Sequence, residues 1–540
     1  MTIAPALFVV ASAIGLLSAS ARAQVYERID VNDQGQAGNA GALSAGDISD
    51  DGRFVVFVSD ATNFGGPDVP GTRDVFLRDR TLHTTTRITS SPNASDPQQY
   101  RAAFISGDGS KIAFWRSTSI SQTTFRSFVH VLATGITTEI VVPNFIDVRV
   151  DALDRNGRFA SITARTLTDP TQQVYRLDLV NGAVVLCSST PAGIPVGGKN
   201  SDIDDDGTHV MFESSSSQIV AGDTNGAADV FVLDIPGQVF TRASVGANGI
   251  QGNDASGQGS ITGNGRYVSM WSLASNFMVG STGSMVEVYL RDLRLETTTL
   301  IGLTSEQAPT VHSLQGRSFP SEDATSVAFM SLYSNGPADT GLSIDVFLRD
   351  LEVGALLPSS PGDAISGADS FVLGITADGR ETLFFSYQQA VTTPFGPGIF
   401  VATFGPRCST SNYCTSLPNS TGAAAFMSTQ GDASRALNNL VIAGLDLPEA
   451  AIAMLVSGAS AIDPGAAFGN GLLCVGGALV RHGIQVANGG VILDFQDVNS
   501  PEYAAVHPGV TRHYQIFYRD PAAGGSAFNT TDAVAVTFCW

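Results

Sequence analysis

Lysine is almost absent from this 540-residue chain, in which Lys111 and Lys199 are the only two. Aspartate and glutamate outnumber lysine and arginine by 50 to 29, so the formal net charge is −21. A surface of this sign repels phosphate backbones and anionic lipid headgroups, which makes nucleic acids and acidic membranes poor partners. Divalent cations or neutral ligands fit this charge better. The alternative is that the acidity only keeps the protein soluble.

The chain also lacks the short motifs that mark several enzyme classes. It contains no G-x-S-x-G turn, no H-E-x-x-H pair and no G-x-x-x-x-G-K-[ST] loop, so serine hydrolases, zinc proteases and P-loop enzymes lose their usual support. The seven histidines are scattered, and the one close pair, His507 and His513, is separated by a proline, which is poor spacing for a metal site. The sequence thus favours a protein that is not an enzyme, without deciding the question.

A repeat of seven units occupies the first 405 residues instead. Each unit begins with a turn of the Asp-Gly type, which supplies the positive backbone angles of tight hairpins, and continues into an apolar strand. Valine, isoleucine and aromatic residues dominate these strands, as is typical of β-structure. The turns contain Gly52, Gly109, Gly157, Gly207, Gly265, Ala324 and Gly379, at steps of 48 to 59 residues.

A second strand recurs in the units, most clearly at 74–79, 229–234, 287–292 and 345–350. A lone small sheet cannot bury both of its faces, so seven of them must stack around an axis, which predicts a β-propeller. The last unit ends at Phe404 without an outer strand, and residues 25–31 look like the outer strand of another unit. We therefore expect the N-terminal strand to complete the last blade and close the ring. An open superhelix is the alternative.

The repeats resemble the PD40, or TolB-like, branch of WD40-like propellers. The resemblance rests on the Ser-x-Asp-Gly-Arg-aromatic-Val-x-Phe strand, as at 49–57, and on the connection at 222–231. It covers residues 25–405 and implies the propeller fold. Because that family includes partner-binding proteins as well as propellers attached to hydrolases, the resemblance leaves the function open.

The two ends of the chain differ from the repeat. Residues 1–23 hold an apolar run followed by Ala21-Arg22-Ala23, which predicts a cleavable signal peptide and a secreted, periplasmic or cell-envelope protein. No lysine or arginine precedes the apolar run, so an uncleaved anchor is the alternative; elsewhere no transmembrane segment is expected. Residues 24–405 are predicted to form the propeller. Residues 406–540, with alternating strands and no period, are predicted to form a small β-sandwich that resembles modules appended to exported proteins of environmental bacteria. The predicted fold class is therefore all-β.

Four of the five cysteines lie in the last quarter of the chain. In an exported module this clustering predicts disulfides. We expect Cys408 to pair with Cys414 and Cys474 with Cys539, although four cysteines allow three pairings. Cys187 lies in an apolar run and is predicted to be a buried free thiol.

One acidic segment has the spacing of a metal site. Asp202, Asp204, Asp206 and Glu213 occupy positions 1, 3, 5 and 12 around a turn glycine, and oxygen ligands at these positions suit calcium. The same place in the other units is only a hairpin turn, so an acidic turn without a metal is the alternative.

These observations predict a monomeric, exported binding or scaffold protein that engages a protein or polymer outside the cytoplasm. The alternative is a propeller hydrolase or lyase that acts through carboxylates in the central funnel, because a propeller brings acidic residues of different blades to its axis. Acidic, His or Arg groups that converge in one pocket would favour the enzyme. A funnel lined by small or apolar residues would favour the scaffold.

Overall fold

The computed structural model describes two compact units, Val25–Thr403 and the residues from Phe404 onward. The predicted signal peptide, residues 1–23, lies outside the described residues. Among the described residues, no helix is long and apolar enough to cross a membrane. The described residues are 24–65, 72–89, 99–117, 124–246, 249–277, 286–302, 316–332, 343–351, 354, 356–360, 369–387, 397–404, 409–431, 433, 440–498, 500, 503 and 510–538.

The first unit consists of seven four-stranded sheets, which confirms the predicted seven-bladed β-propeller. The chain starts with β1 (Gln24–Arg28). Blade 1 contains β2 (Ala42–Ile48), β3 (Phe54–Ser59), β4 (Asp74–Asp79) and β5 (Thr84–Arg87). Blade 2 contains β6 (Gln99–Ile105), β7 (Lys111–Ser117), β8 (Phe125–Val131) and β9 (Ile136–Glu139). Blade 3 contains β10 (Phe145–Leu153), β11 (Phe159–Thr166), β12 (Gln173–Asp178) and β13 (Val184–Leu186). Blade 4 contains β14 (Lys199–Ile203), β15 (His209–Ser214), β16 (Asp229–Asp234) and β17 (Val239–Arg242).

The remaining blades follow the same order. Blade 5 contains β18 (Ser256–Ile261), β19 (Tyr267–Ser272), β20 (Glu287–Asp292) and β21 (Thr297–Leu300). Blade 6 contains β22 (Phe319–Pro320), β23 (Ser326–Ser331), β24 (Asp345–Asp350) and β25 (Leu356–Pro358). Blade 7 contains β26 (Ser370–Ile375), β27 (Glu381–Ser386) and β28 (Gly398–Phe404), and β1 is its outer strand.

Blade 7 therefore joins the two ends of the repeat region. Next to β1, the backbone N–H of Ile29 donates to the carbonyl of Ile399, at 2.8 Å. Arg80, in blade 1, donates a hydrogen bond of 2.8 Å to Glu27 of β1. It also binds Glu381 of β27 through both of its terminal nitrogens. The N-terminal strand thus connects blade 7 to blade 1, which are the blades where the ring closes.

The tight turn between the first two strands of each blade has a repeated hydrogen-bond pattern. In blade 1 the Ser49 hydroxyl accepts a bond from the N–H of Phe54, and Asp51 accepts one from the N–H of Arg53. The glycine of this turn, Gly52, has a φ of 73°, which a residue with a Cβ adopts at a cost. The Asp-Gly pattern of the sequence therefore encodes the turn locally.

The interior of the blades is formed by the second and third strands. Cross-strand aromatic pairs recur between them, such as Phe57 with Phe76 at 5.6 Å between ring centroids and Phe212 with Phe231 at 5.8 Å. All four side chains are buried. Apolar pairs directly opposite each other stabilise antiparallel strands, and here they also fill the space between neighbouring blades.

The second unit contains a five-stranded, a three-stranded and a two-stranded sheet. Its buried core includes Leu455, Ile516 and Val534 from the first sheet and Ile442 and Ile492 from the second, so the module is a β-sandwich. Its strands are β29 (Ser409–Tyr413), β30 (Phe426–Gln430), β31 (Val441–Leu445), β32 (Ile452–Gly458), β33 (Ser460–Phe468), β34 (Gly471–Gly476), β35 (Val480–Val486), β36 (Ile492–Phe495), β37 (Thr511–Arg519) and β38 (Phe528–Thr537), with a 3-10 turn at Pro521–Ala523 before β38.

The predicted cysteine pairs are wrong, because Cys414 forms a disulfide with Cys474. β29 pairs with β38, and Cys474 packs against Ala533 of β38, so the two cysteines meet across strands that are distant in sequence. Cys408 and Cys539 lie outside the described residues. Cys187 is a buried free cysteine, as predicted, and burial raises the pKa of its thiol to about 12.

Candidate functional site

The first strands of all seven blades line one cavity of about 550 Å³ in the propeller, here called the axial cavity. This volume is in the range of small-ligand sites, about 300–1,000 Å³. One end of the cavity, the turn end, lies at the turns that follow these strands. The other, the start end, lies where the strands begin. With a rise of about 3.3 Å per residue, the six steps from Arg101 on β6 to Gly107 in the turn after it span roughly 20 Å.

A ring of hydrogen bonds surrounds the turn end. In blade order, the ring contains Asp50, Gly107, Arg155, Asp205, Gly263, Glu322 and Ala377, and the link between blades 2 and 3 runs from the N–H of Asp108, next to Gly107, to the carbonyl of Arg155 at 2.8 Å. Most links are bonds between backbone groups, such as Asp50 N–H to Gly107 O at 2.9 Å and Ala377 N–H to Asp50 O at 3.1 Å. The link between blades 5 and 6 uses a side chain, because Gly263 N–H donates to Glu322 Oε2 at 2.7 Å. The turn end is thus held by residues of all seven blades.

Arg155 crosses the turn end. One of its terminal nitrogens lies 3.1 Å from a carboxylate oxygen of Asp50 in blade 1 and 3.1 Å from one of Asp205 in blade 4. Burial raises the pKa of Asp50, and the charge of Arg155 opposes this shift. Burial followed by the charge of Asp205 raises the pKa of Glu322. Arg155 therefore forms ion pairs with two carboxylates at this end of the axial cavity, and its charge lowers the pKa of a third, Glu322.

Three aspartates lie halfway along the axial cavity, and each links its own blade to the next. Asp47 Oδ2 accepts a bond from the N–H of Ile105 in blade 2, at 3.1 Å. Asp151 accepts one from the hydroxyl of Ser201 in blade 4, at 2.7 Å. Asp202 accepts bonds from the hydroxyl of Ser260 and the N–H of Ile261 in blade 5, at 2.5 and 3.2 Å. These carboxylates therefore fix the arrangement of the blades around the cavity.

Arg317 of blade 6 supplies positive charge to this group of aspartates. It lies 3.3 Å from Asp202 Oδ2, and its charge lowers the pKa values of Asp47 and Asp151. Burial nevertheless dominates, and it raises the pKa of Asp47 to about 7 and also raises that of Asp151. A carboxyl group with a pKa near 7 changes between its neutral and charged forms within the physiological pH range.

The start end is shaped by β-bulges. The pairing of β14 with β15 shifts between Lys199 and Asp202, and Asn200 in this bulge has a φ of 52°. The corresponding bulge of β18 contains Gln258, with a φ of 43°. Bulges re-aim side chains, and here both residues line the axial cavity.

Of the four residues predicted to bind calcium, hydrogen bonds keep Asp204 and Asp206 together in one turn and direct Asp202 and Glu213 elsewhere. Asp204 and Asp206 form the turn of blade 4 as Ser49 and Asp51 do in blade 1: Asp204 accepts from the N–H of His209, and Asp206 accepts from that of Thr208. Asp202 points to blade 5, as described above. In the described part of the chain no group of three or more His, Cys, Asp or Glu side chains could hold a metal ion. Calcium binding at this segment stays a prediction of the sequence.

Glu213 has a different position from the one expected for a ligand. It is buried, lies 2.9 Å from Lys199 Nζ, and accepts bonds from the side chain of Asn200 at 2.9 Å and from the N–H of Gln258 at 3.3 Å. Glu213 therefore holds the two bulged strands β14 and β18 next to each other at the start end.

Sequence reasoning missed the arginines of the axial cavity, Arg101, Arg155 and Arg317. Arg155 could have been found, because it occupies in the third repeat the place of Asp50 in the first. Arg101 and Arg317 precede the repeated motifs, and no spacing in the sequence indicates that they reach the axis.

No protein-family model and no curated protein sequence matches the chain. Among solved structures, TolB from Acinetobacter baumannii is 15% identical with a TM-score of 0.35, over 54% of this chain and 61% of that one. The β-propeller domain of the Trilobed protease from Pyrococcus furiosus is 13% identical with a TM-score of 0.42, over 67% and 95%. Oligogalacturonate lyase from Vibrio parahaemolyticus is 10% identical with a TM-score of 0.44, over 71% and 98%. The chain is similar to these structures, and its own seven four-stranded sheets make it a seven-bladed β-propeller followed by a β-sandwich.

Proposed function

We propose that this protein is a monomeric, exported binding protein whose propeller takes a segment of a protein or polymer partner into the axial cavity from the start end. The observation that carries this proposal is the cavity itself, which has a volume of about 550 Å³, is lined by all seven blades and has Arg155 across its turn end. A pocket of this volume suits a short projecting segment better than a flat surface contact.

The rigidity of the cavity wall supports binding. Asp47, Asp151 and Asp202 each accept hydrogen bonds from the next blade, and Glu213 holds two strands of the start end. A wall fixed in this way loses little conformational freedom when a ligand enters, so less of the interaction free energy is spent on ordering it.

The disulfide supports export. Disulfides persist in oxidising compartments outside the cytoplasm, and the bond between Cys414 and Cys474 is of the kind that such a compartment maintains. The signal peptide predicted at residues 1–23 leads to the same proposal.

Partner capture from envelope extract tests the function. The full chain carries Gln258→Cys, and a bulky maleimide on that cysteine obstructs the start end. The matched control is Gln238→Cys, because Gln238 also has a positive φ, 52°, but is exposed on the outer hairpin of blade 4. We expect the modified Gln258→Cys protein to lose its partner and the modified control to keep it. Equal capture by both proteins would place the partner outside the axial cavity.

A hydrolase or lyase is the second candidate, and one observation favours it. Acidic and arginine side chains converge in the axial cavity, and Asp47 has a pKa of about 7, which suits a general acid or base. Its test is turnover of oligosaccharides or peptides by the full chain. Loss of turnover in Asp47→Asn, with retained turnover in the exposed-turn variant Asp206→Asn, would support the enzyme.

A further inference from the structure

We propose that Arg101 is the site at which the axial cavity binds a carboxylate of a peptide segment. This inference rests on the proposed binding function and adds the chemistry of the ligand. It places the ligand's charged group at the start end, on the wall that blade 2 contributes.

Arg101 differs from the other charged side chains of the cavity wall in its contacts. Each of the others has a hydrogen bond or an ion pair with a protein group; they are Asp47, Asp50, Asp151, Arg155, Asp202, Asp205, Arg317 and Glu322. Arg101 has none with the described residues, and its Nε is buried without an acceptor. An unsatisfied buried N–H group is costly, so an acceptor on a ligand would be stabilised there.

The backbone directs Arg101 toward the cavity. In the pairing of β6 with β7, Tyr100 lies opposite Arg116 and Ala102 opposite Trp115, which leaves Arg101 as the extra residue of a bulge. A bulge re-aims its side chain, and Arg101 lines the axial cavity. A guanidinium group binds a carboxylate through two parallel N–H bonds, a geometry that an ammonium group cannot supply.

The charges deeper in the cavity determine where the carboxylate stops. Six carboxylates and three arginines line the wall, and the carboxylates lie at the middle and at the turn end. An anion that moved past Arg101 would approach Asp47, Asp151 and Asp202, where three carboxylates outnumber one arginine and that arginine, Arg317, is already paired with Asp202 at 3.3 Å. The carboxylate therefore remains at the start end, while the uncharged part of the segment contacts the wall farther in.

The apolar lining favours a peptide over an acidic sugar polymer. The aromatic residues of the cavity wall are Phe104, Phe319 and Phe371, and this wall, all of it described, contains no tryptophan or tyrosine. Phenylalanine rings and the neighbouring Ile and Leu side chains suit the aliphatic side chains of a peptide. The polar edge of tryptophan or tyrosine, which could bind the hydroxyl groups of a sugar, is missing from this wall.

Pools of random N-acetylated hexapeptides test the inference on the immobilised full chain. One pool lacks Asp and Glu and has free C-terminal carboxylates, the second has the same composition with C-terminal amides, and the third is amidated with one Asp or Glu. Retained peptides are quantified by mass spectrometry for the wild type, Arg101→Ala and Arg101→Lys. The control is Arg126→Ala, since Arg126 lies on β8 of the same blade with 55% of its side chain exposed.

We expect the wild type and Arg126→Ala to retain roughly tenfold more peptide, or an even larger excess, from a carboxylate pool than from the plain amide pool. The ratio should fall to about one in Arg101→Ala and take an intermediate value in Arg101→Lys. The first and third pools distinguish a terminal from a side-chain carboxylate. An unchanged ratio in Arg101→Ala overturns the inference. It is also overturned if a uronic acid trimer displaces the bound peptides and a carboxylate peptide does not.

Failure of this inference can be told apart from failure of the proposed function. If carboxylate and amide peptides are retained equally, and the maleimide adduct of Gln258→Cys abolishes this retention, the role of Arg101 is overturned but the cavity remains the binding site. Retention that the adduct leaves unchanged contradicts both.

Discussion

Replacement of Ile29 by alanine tests how the propeller ring is closed. Ile29 is fully buried in a cluster that contains Val55 and Phe57 of blade 1 together with Leu383 and Val401 of blade 7. Truncation of such a side chain to alanine costs about 2–5 kcal/mol, because the removed atoms leave a cavity that the neighbours fill only partly. The roughly 380 residues of the first unit have an unfolding entropy of about 0.8 kcal/mol per kelvin, so the melting temperature should fall by about 3–6 °C.

The matched control for Ile29→Ala is Val25→Ala in β1. Val25 is 64% exposed, so its truncation should change the free energy of unfolding by less than about 0.5 kcal/mol. Differential scanning calorimetry and urea titration of both variants measure the difference. If Ile29→Ala has the melting temperature of the wild type, or if Val25→Ala has one as low as that of Ile29→Ala, the N-terminal segment does not contribute to closure in the way that the burial of Ile29 implies.

Three further predictions concern the disulfide, the acidic segment and pH. Cys414→Ser should lower the stability of the C-terminal module by about 4 kcal/mol, as the chain entropy of a 60-residue loop implies, and non-reducing peptide mapping should find Cys414 linked to Cys474. Glu213→Gln should lower the free energy of unfolding by about 1–3 kcal/mol and the melting temperature with it, whereas Asp206→Asn, at an exposed residue, should lower both by less. If the segment binds calcium as the sequence predicts, calcium should raise the melting temperature of the wild type above its value in chelator, and equal melting temperatures would contradict the metal site. For Asp47, the folded pKa of about 7 exceeds the ordinary value of about 3.9. The folded state then binds more protons between these values, so stability falls as pH rises from about 4 to 7, by at most about 1.4 kcal/mol per pH unit. Asp47→Asn should have a smaller fall over this range in pH-dependent melts, and an identical profile would contradict the raised pKa.

Much of the fold was predictable because the signals are local. The Asp-Gly turns, the apolar strands and their period identify seven small antiparallel sheets, and a sheet of this size must pack its faces against its neighbours. The turn of blade 4 illustrates this local coding, since Asp204 and Asp206 make there the hydrogen bonds that Ser49 and Asp51 make in blade 1.

The candidate site was not predictable, because most of its contacts join different blades, whose residues lie about 45 or more positions apart in the sequence. Nothing in the spacing of Asp202 and Glu213 shows that one points to blade 5 and the other to Lys199. Likewise, Cys414 has Cys408 as its neighbour in sequence but Cys474 as its partner.

The sequence by itself determined the elements of this protein: turns, strands, the number of blades and the change of pattern after residue 405. These follow from backbone preferences and from the alternation of apolar side chains over a few residues. Only the tertiary structure decided that Asp50, Arg155 and Asp205 meet at one end of an axial cavity and that Arg101 lines its wall. The physical reason is that the seven first strands approach one another only when the ring closes, so the charges that face the axis become neighbours through packing and not through spacing along the chain.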